Sequence, residues 1–147
     1  MIYRGYGVIK EFHEKSEVNV FLLKQSFAVT VPKGTFLVKR GVPPEHVIIL
    51  KAGKVQVSVP RSYCDVILDG EDCERVFGLY ATLSGEKPEL DIICTDDCEV
   101  MLVRKDIFET AVQCNPGMDV ILARMLGNES TTAHEILRIA RRYPRPV

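Results

Sequence analysis

The central part of the chain alternates hydrophobic and polar positions in short runs. In KVQVSV the three valines occupy every second position, between Lys54, Gln56 and Ser58, which is the period of a half-buried strand. The runs FAVTV, TFLVKR, HVIIL, YCDVIL, DIICT and EVMLV are similar, and turn residues separate them. Short strands at this spacing predict an all-β sandwich or roll over about 27–103.

After the last of these runs the hydrophobic period becomes helical. Over about 104–143, apolar residues recur at intervals of three and four, and Asn115-Pro116-Gly117 divides this region into two segments. Gly127-Asn128 is a second candidate break, because Thr132 and Glu135 have the spacing of a capping box. One kinked last helix and two shorter helices both remain open.

A weaker helical pattern over Ser16–Gln25 predicts a short N-terminal helix before the strands. The predicted fold class is therefore mainly β, a sandwich or roll with a short N-terminal helix and C-terminal helices. The chain shows no linker, repeat or low-complexity segment. We expect one domain over 1–147.

Composition narrows the classes of function. A hydrophobic fraction of 46% in 147 residues suits a single folded domain. A net charge of -1 and a pI near 6.3 give no electrostatic drive toward nucleic acid. The sequence has no apolar run long enough to cross a membrane and no secretory leader pattern. We therefore expect a cytoplasmic protein without nucleic-acid or membrane partners.

The cysteines and histidines do not form a recognisable metal or catalytic pattern. Five cysteines without a Cys-x-x-Cys pair suit reduced thiols. Cys94 and Cys98 flank Asp96-Asp97, but no further ligands follow at zinc-like spacing. The three histidines lie far apart, and no serine or histidine has a partner pattern. We predict no metal, no catalytic residues and no enzyme activity.

The order of these elements, with its glycines and prolines, resembles a known family. The segment VPKGTFLVKRGVPPEHVIILKAGKVQVS, with Gly34, Gly41 and Gly53, followed by Phe77-Gly78 and Pro88, resembles a cyclic-nucleotide-binding domain. This is the β-roll of catabolite-activator regulators, kinase regulatory subunits and gated channels. The resemblance covers about 16–142 and implies a double-stranded β-helix, which is a jelly-roll-like β-roll, with a phosphate-binding cassette after Phe77-Gly78.

The cassette departs from the family at two positions that hold the ligand. In the family, a glutamate after Phe-Gly binds the ribose hydroxyl, and an arginine after the proline neutralises the cyclic phosphate. Here these positions are Leu79 and Glu89. The resemblance gives as cassette positions Phe77, Gly78, Leu79, Tyr80, Ala81, Lys87, Glu89 and Leu90, and as lid positions on the last helix Ser130 and Thr131.

The charge around the cassette also opposes a phosphate. Between Glu71 and Asp91, six acidic residues face two basic ones, a local net charge of -4. Losing the arginine alone removes on the order of 2–5 kcal/mol. We therefore predict no cofactor and disfavour cyclic nucleotide as the ligand.

The leading hypothesis is a non-catalytic regulatory module that acts through another small molecule or a protein partner. One alternative is weak or atypical cyclic nucleotide binding through Lys87 and the cassette amides. A second is a ligand that is neutral or cationic near Glu89, and a third is a scaffold whose pocket Leu79 fills.

Two further expectations concern assembly. Only Tyr-Pro-Arg-Pro-Val follows the last helical stretch, which is too short for the helix-turn-helix domain that the family's DNA-binding members carry. A heptad-like set predicts a partial homodimer seam along the C-terminal helix. Its members are Leu122, Met125, Glu129, Thr132, Ile136 and Ile139.

Overall fold

The computed structural model describes residues 26–60, 65–71, 73–114 and 117–142. The N-terminal helix predicted over Ser16–Gln25 lies outside these residues. Within them the chain forms β1 (Ser26–Val31), β2 (Phe36–Val38), β3 (His46–Ala52), β4 (Lys54–Ser58), β5 (Val66–Asp69), β6 (Arg75–Phe77), α1 (Leu79–Ser84), β7 (Asp91–Cys94), β8 (Cys98–Arg104), α2 (Lys105–Cys114) and α3 (Met118–Ala140).

The strands form two four-stranded sheets in the orders β1-β8-β3-β6 and β2-β7-β4-β5. Neighbouring strands pair antiparallel in both sheets. The inner faces enclose one apolar cluster, to which β4 contributes Val55 and Val57. The predicted alternation of KVQVSV is confirmed, since Gln56 and Ser58 are only partly buried. The mainly β fold class is confirmed as well.

The centre of the first sheet, at β3, is covered on both faces, which explains why VIIL is a continuous apolar run. In β3, Ile48 and Leu50 face the interior of the roll. Val47 and Ile49 face a second cluster that α2 and α3 complete. Because successive side chains of a strand point to opposite faces, the four central residues of β3, 47–50, are all apolar and buried.

The glycine before β4 shows why the corners of the roll need this residue. Gly53 has a φ of 103°, which side chains with a Cβ rarely adopt. A Cβ there would also lie 2.7 Å from the Cys98 Sγ and 2.8 Å from the Asp97 carbonyl oxygen. Gly34 and Gly41 likewise have positive φ, as expected for turn glycines.

The last helix crosses the open edge of the first sheet. The N-terminal half of α3 packs Met118, Ile121 and Met125 against the outer cluster, and Ile136 reaches the interior of the roll. Between these two anchors, α3 runs beside β6, the edge strand. This path brings the middle of α3 next to the loop that follows β6.

Of the two alternatives at Gly127-Asn128, two shorter helices is wrong, because α3 is one continuous helix from Met118 to Ala140. Thr132 and Glu135 do not cap a helix start. Both side chains accept hydrogen bonds from Arg75 instead. The spacing of Thr132 and Glu135 therefore does not mark a helix start. It places both side chains within hydrogen-bond distance of Arg75.

Much of the heptad-like set on α3 packs against its own chain. Met125, Thr132 and Ile136 are 3%, 4% and 5% exposed, and Leu122 and Ile139 pack on the same clusters. These side chains are already covered within one chain. The homodimer remains a prediction, and it would need the other faces of α3.

Candidate functional site

The candidate site is the loop that joins β6 to β7, with the short helix α1 inside it. Gly78 starts α1 with a φ of 80°, and a Cβ there would lie 3.1 Å from the His46 carbonyl oxygen. Gly85 ends α1 with a φ of 75°, and its N–H donates to the Ala81 carbonyl oxygen over 3.0 Å. The loop after Phe77-Gly78 therefore contains a short helix bounded by two glycines.

Leu79 is completely buried at the start of α1. Its side chain joins the apolar cluster between the first sheet and the C-terminal helices. The next residue, Tyr80, is 58% exposed. The position that resembles the family's ribose-binding glutamate therefore holds a core side chain.

The two charged residues expected near a phosphate lie on the surface. Lys87 and Glu89 are exposed in the segment between α1 and β7, and Leu90 packs partly against the interior of the roll. The Pro88 carbonyl oxygen accepts a hydrogen bond from the Gly41 N–H over 2.9 Å. This bond fixes the segment against the turn after β2.

A carboxylate from α3 occupies the first amides of α1. The Glu129 Oε2 accepts a hydrogen bond from the Leu79 N–H over 3.2 Å, and Oε1 accepts one from the Tyr80 N–H over 2.8 Å. Free amides and the helix dipole make a helix start attractive to an anion. Glu129 therefore lies where an anionic group bound at these amides would lie.

The protonation of Glu129 reflects two opposed effects. Burial raises the pKa of Glu129, because it disfavours the charged form, while hydrogen bonds from the Tyr80, Leu79 and Gly78 amides act in the opposite direction. Burial is the larger effect, so the pKa lies above the ordinary value for a glutamate.

Sequence reasoning placed Glu129 on the dimer seam and missed this contact. One signal was available, because Glu129 lies four residues after Met125 and three before Thr132, in the middle of a stripe that is otherwise buried. A carboxylate on such a stripe needs donors within its own chain. The start of a helix after a glycine supplies them.

Two more polar contacts join α3 to the strand that leads into the cassette. The Asn128 side chain accepts from the Val76 N–H and donates to the Glu74 carbonyl oxygen, both over 2.9 Å. It therefore pairs with the edge of β6 much as a neighbouring strand would.

The second contact is a buried guanidinium. Arg75 is 7% exposed, and its Nη1 donates to the Thr132 Oγ1 over 3.2 Å and to the Glu135 Oε1 over 2.8 Å. The Arg75 Nε is buried without an acceptor in the part of the chain that the structure describes. The local sequence gives no sign of this contact, because Arg75 stands there only as one of two basic residues in an acidic segment.

The predicted lid residues do not join these contacts. Ser130 and Thr131 are both exposed within α3. On the cassette helix, Thr82 is 3% exposed, and its hydroxyl has no hydrogen-bond partner among the described residues. Among the described residues, the α3 side chains that hydrogen-bond with α1 or with residues 74–76 are Asn128, Glu129, Thr132 and Glu135.

Cys94 and Cys98 are both buried in the roll, without a disulfide between them. Burial, together with a hydrogen bond to Cys98, raises the pKa of Cys94 to about 12. Burial also raises the pKa of Cys98. Over the described ranges, no three His, Cys, Asp or Glu side chains are grouped to hold a metal ion. None of the described helices is long and apolar enough to span a membrane.

Comparison with known proteins agrees with this geometry. The family profile described as "Cyclic nucleotide-binding domain" matches residues 28–115. The chain belongs to the cyclic nucleotide-binding domain family. The match covers the strands and the cassette of this family, and it ends near the end of α2. A search of curated proteins finds no match.

Solved structures of the same fold resemble the chain at low sequence identity. One, described as Sp-2Cl-cAMPS bound to PKAR CBD2, has a TM-score of 0.62 at 17% identity and covers 91% of this chain and 86% of its own. The catabolite activator protein of Thermus thermophilus has a TM-score of 0.63 at 14% identity, covering 90% and 62%. A cAMP-binding acyltransferase from Mycobacterium smegmatis, an E234A mutant, has a TM-score of 0.58 at 20% identity, covering 84% and 38%.

The chain therefore spans less than two thirds of the Thermus protein and about two fifths of the acyltransferase. At these identities the likeness establishes the fold. The cyclic nucleotide-binding β-roll, expected from the resemblance, is confirmed.

Proposed function

We propose that this chain is a non-catalytic regulatory module that does not bind cyclic AMP or cyclic GMP in the usual way of its family. It acts instead through another ligand or a protein partner. The observation that carries the proposal is the contact between the Glu129 carboxylate and the Leu79 and Tyr80 amides. An internal anion at these amides competes with an external one.

The exchange of Glu129 for a phosphate is unfavourable in this chain. A phosphate that binds at α1 must either displace the Glu129 carboxylate or lie close to it. In the second case the two negative charges repel each other. The family's arginine position holds Glu89, so no guanidinium compensates there. A lost arginine–phosphate pair of about 2–5 kcal/mol weakens binding by roughly 30- to 4,000-fold.

The ribose end of the pocket is also altered. Leu79 has no hydrogen-bonding side chain, and its complete burial ties it to the apolar cluster. Atypical binding through Lys87 and the cassette amides has less support, because the first two of these amides already donate to Glu129. The burial of Leu79 favours a filled pocket that serves as an interaction scaffold.

Thermal-shift measurement with cyclic AMP and cyclic GMP tests the proposal. A micromolar site would stabilise the native state by about 4 kcal/mol at millimolar ligand, which corresponds to a rise in melting temperature of roughly 10 °C. We expect no rise for this chain. PKAR CBD2, which was solved with Sp-2Cl-cAMPS, is the positive control, and a comparable rise for this chain would refute the proposal.

A matched pair of variants tests the role of Glu129. Glu129→Ala frees the amides, and Glu129→Ala combined with Glu89→Arg also restores the arginine of the family's cassette pattern. We expect measurable cyclic AMP binding only in the double variant. Glu109→Ala, on α2 and away from the cassette, is the control for removing a carboxylate.

A further inference from the structure

A second concave site lies outside the cassette, between the start of β6 and the middle of α3. It is a groove of about 400 Å³, within the usual size range of small-molecule sites. Its lining includes Cys73, Arg75, Arg124, Thr131 and Glu135, and none of the cassette residues 77–90. The groove shares no residue with the cassette, and of the two lid positions only Thr131 lines it.

Glycine makes room for the groove in the helix surface. Gly127 lies inside α3 and lines the groove, and a Cβ built there would meet nothing within 4 Å. Gly127 therefore adds no side chain to the groove that Arg75 also lines.

The guanidinium that lines this groove is incompletely satisfied. Arg75 is more than nine-tenths buried, and a buried charge requires both a counter-charge and hydrogen-bond partners. The Glu135 carboxylate bonds Nη1 through one oxygen. The Nε donor has no acceptor within the described ranges, so the bidentate arrangement that suits a guanidinium is not formed.

The two partners of this ion pair differ in freedom. The Glu135 side chain is 33% exposed and the Arg75 side chain 8%. Glu135 can therefore turn away to solvent while Arg75 stays buried. An incoming anion with two oxygens can take the place of Glu135 and pair with the guanidinium through both oxygens.

We propose that this groove binds a small organic anion, which carries a carboxylate or phosphate on a compact body and displaces Glu135 from Arg75. Among the described residues, the charged lining consists of Arg75, Arg124 and Glu135. The Arg75 Nε is a donor without an acceptor among them, and such a donor favours an anion over a cation. The Thr131 hydroxyl lies on the exposed side and is available to a polar substituent. The inference deepens the proposed function, since it names a ligand class for a module that senses something other than cyclic nucleotide.

Titration with simple probes, followed by ¹H–¹⁵N NMR of the full chain, tests the proposal. Benzoate and inorganic phosphate present the two anionic groups, and benzamide and benzylamine are the matched neutral and cationic probes. We expect at least one anion to shift the amide signals of Cys73, Arg75 and Thr131 saturably, while benzamide and benzylamine leave them unchanged. If neither anion produces a saturable shift, or if benzamide produces the same one, the proposal is wrong.

Variants sharpen the test. Glu135→Gln removes the competing carboxylate and should tighten binding of the anion several-fold, a direction that a merely structural Glu135 does not predict. Arg124→Gln should weaken binding of the anion several-fold. Because Arg124 is exposed, this variant does not remove a buried charge. Arg104→Gln, which changes an exposed arginine paired with Asp106, should leave binding unchanged. Unaltered affinity in both Glu135→Gln and Arg124→Gln would overturn the proposal.

The same spectra separate this proposal from the proposed function. Cyclic AMP added alone reports on the cassette through the Leu79, Tyr80 and Ala81 signals. A saturable shift there refutes the proposed function and leaves the groove proposal in place. Failure of benzoate and phosphate refutes the groove proposal alone.

Discussion

Two buried threonines on the helices that meet at the cassette give a sharp test of the polar contacts. Thr82 on α1 and Thr132 on α3 are 3% and 4% exposed. The Thr132 hydroxyl accepts from Arg75, whereas the Thr82 hydroxyl has no partner in the described part of the chain. Replacing each by valine makes the same chemical change in opposite surroundings.

The expected effects have opposite signs. A buried hydroxyl without a partner carries a penalty of about 1–3 kcal/mol, so Thr82→Val should stabilise the fold by about 1 kcal/mol. Loss of a hydrogen bond to a charged group removes about 1.5–3 kcal/mol, so Thr132→Val should destabilise it by about 2 kcal/mol. Threonine and valine have similar helix propensities, and that contribution cancels.

Equilibrium unfolding in urea, followed by far-ultraviolet circular dichroism, measures the difference, since the chain has no tryptophan. With an m-value of about 2 kcal/mol per molar urea, the two midpoints should differ by roughly 1.5 M. Thr110→Val, in which an exposed hydroxyl bonds the Asp106 carbonyl oxygen, is the control and should change stability by less than about 0.5 kcal/mol. Destabilisation by Thr82→Val would refute the assignment of its hydroxyl as unpartnered.

Three further outcomes follow from the structure. Because burial raises the pKa of Glu129, the folded chain binds the Glu129 proton more tightly than the unfolded chain does. The stability of the wild type relative to Glu129→Gln should therefore fall as pH rises through the range above a glutamate's ordinary pKa. Urea unfolding at several pH values measures this difference. Gly127→Ala should raise the free energy of unfolding by about 1 kcal/mol in the same urea assay, because α3 is continuous there and a Cβ meets nothing; a helix break at this position would give destabilisation. In mildly alkaline iodoacetamide, mass spectrometry should find Cys73 alkylated, while Cys94 and Cys98 stay unmodified because they are buried with raised pKa values.

Periodic segments of the fold were predictable, and short or doubly buried ones were harder. The alternation in β4 predicts its buried face correctly. The three-residue strand β6 was not predicted, because RVF is buried at every position and has too few residues for a period. Its place in the sheet comes from pairing with β3, which a local pattern does not encode.

The site was predictable in position but not in its contacts. Phe77, Gly78 and Pro88 mark the loop, and Leu79 and Glu89 mark its departure from the family. The bonds from Glu129 to the α1 amides join residues about 50 apart in sequence. The hydrogen bonds that Arg75 donates to Thr132 and Glu135 are equally long-range. These two residues have the spacing of a capping box, but their partner lies far away in the sequence. Such pairs depend on the path of α3 across the sheet edge.

The central claim is that the Glu129 carboxylate occupies the Leu79 and Tyr80 amides and so prevents a phosphate from binding them. The most direct measurement follows the Leu79 and Tyr80 amide signals of the wild-type chain by ¹H–¹⁵N NMR during titration with cyclic AMP. The account predicts that both signals stay at their ligand-free positions at millimolar nucleotide. A saturable shift of these two signals, with release of their hydrogen bonds to Glu129, would contradict it.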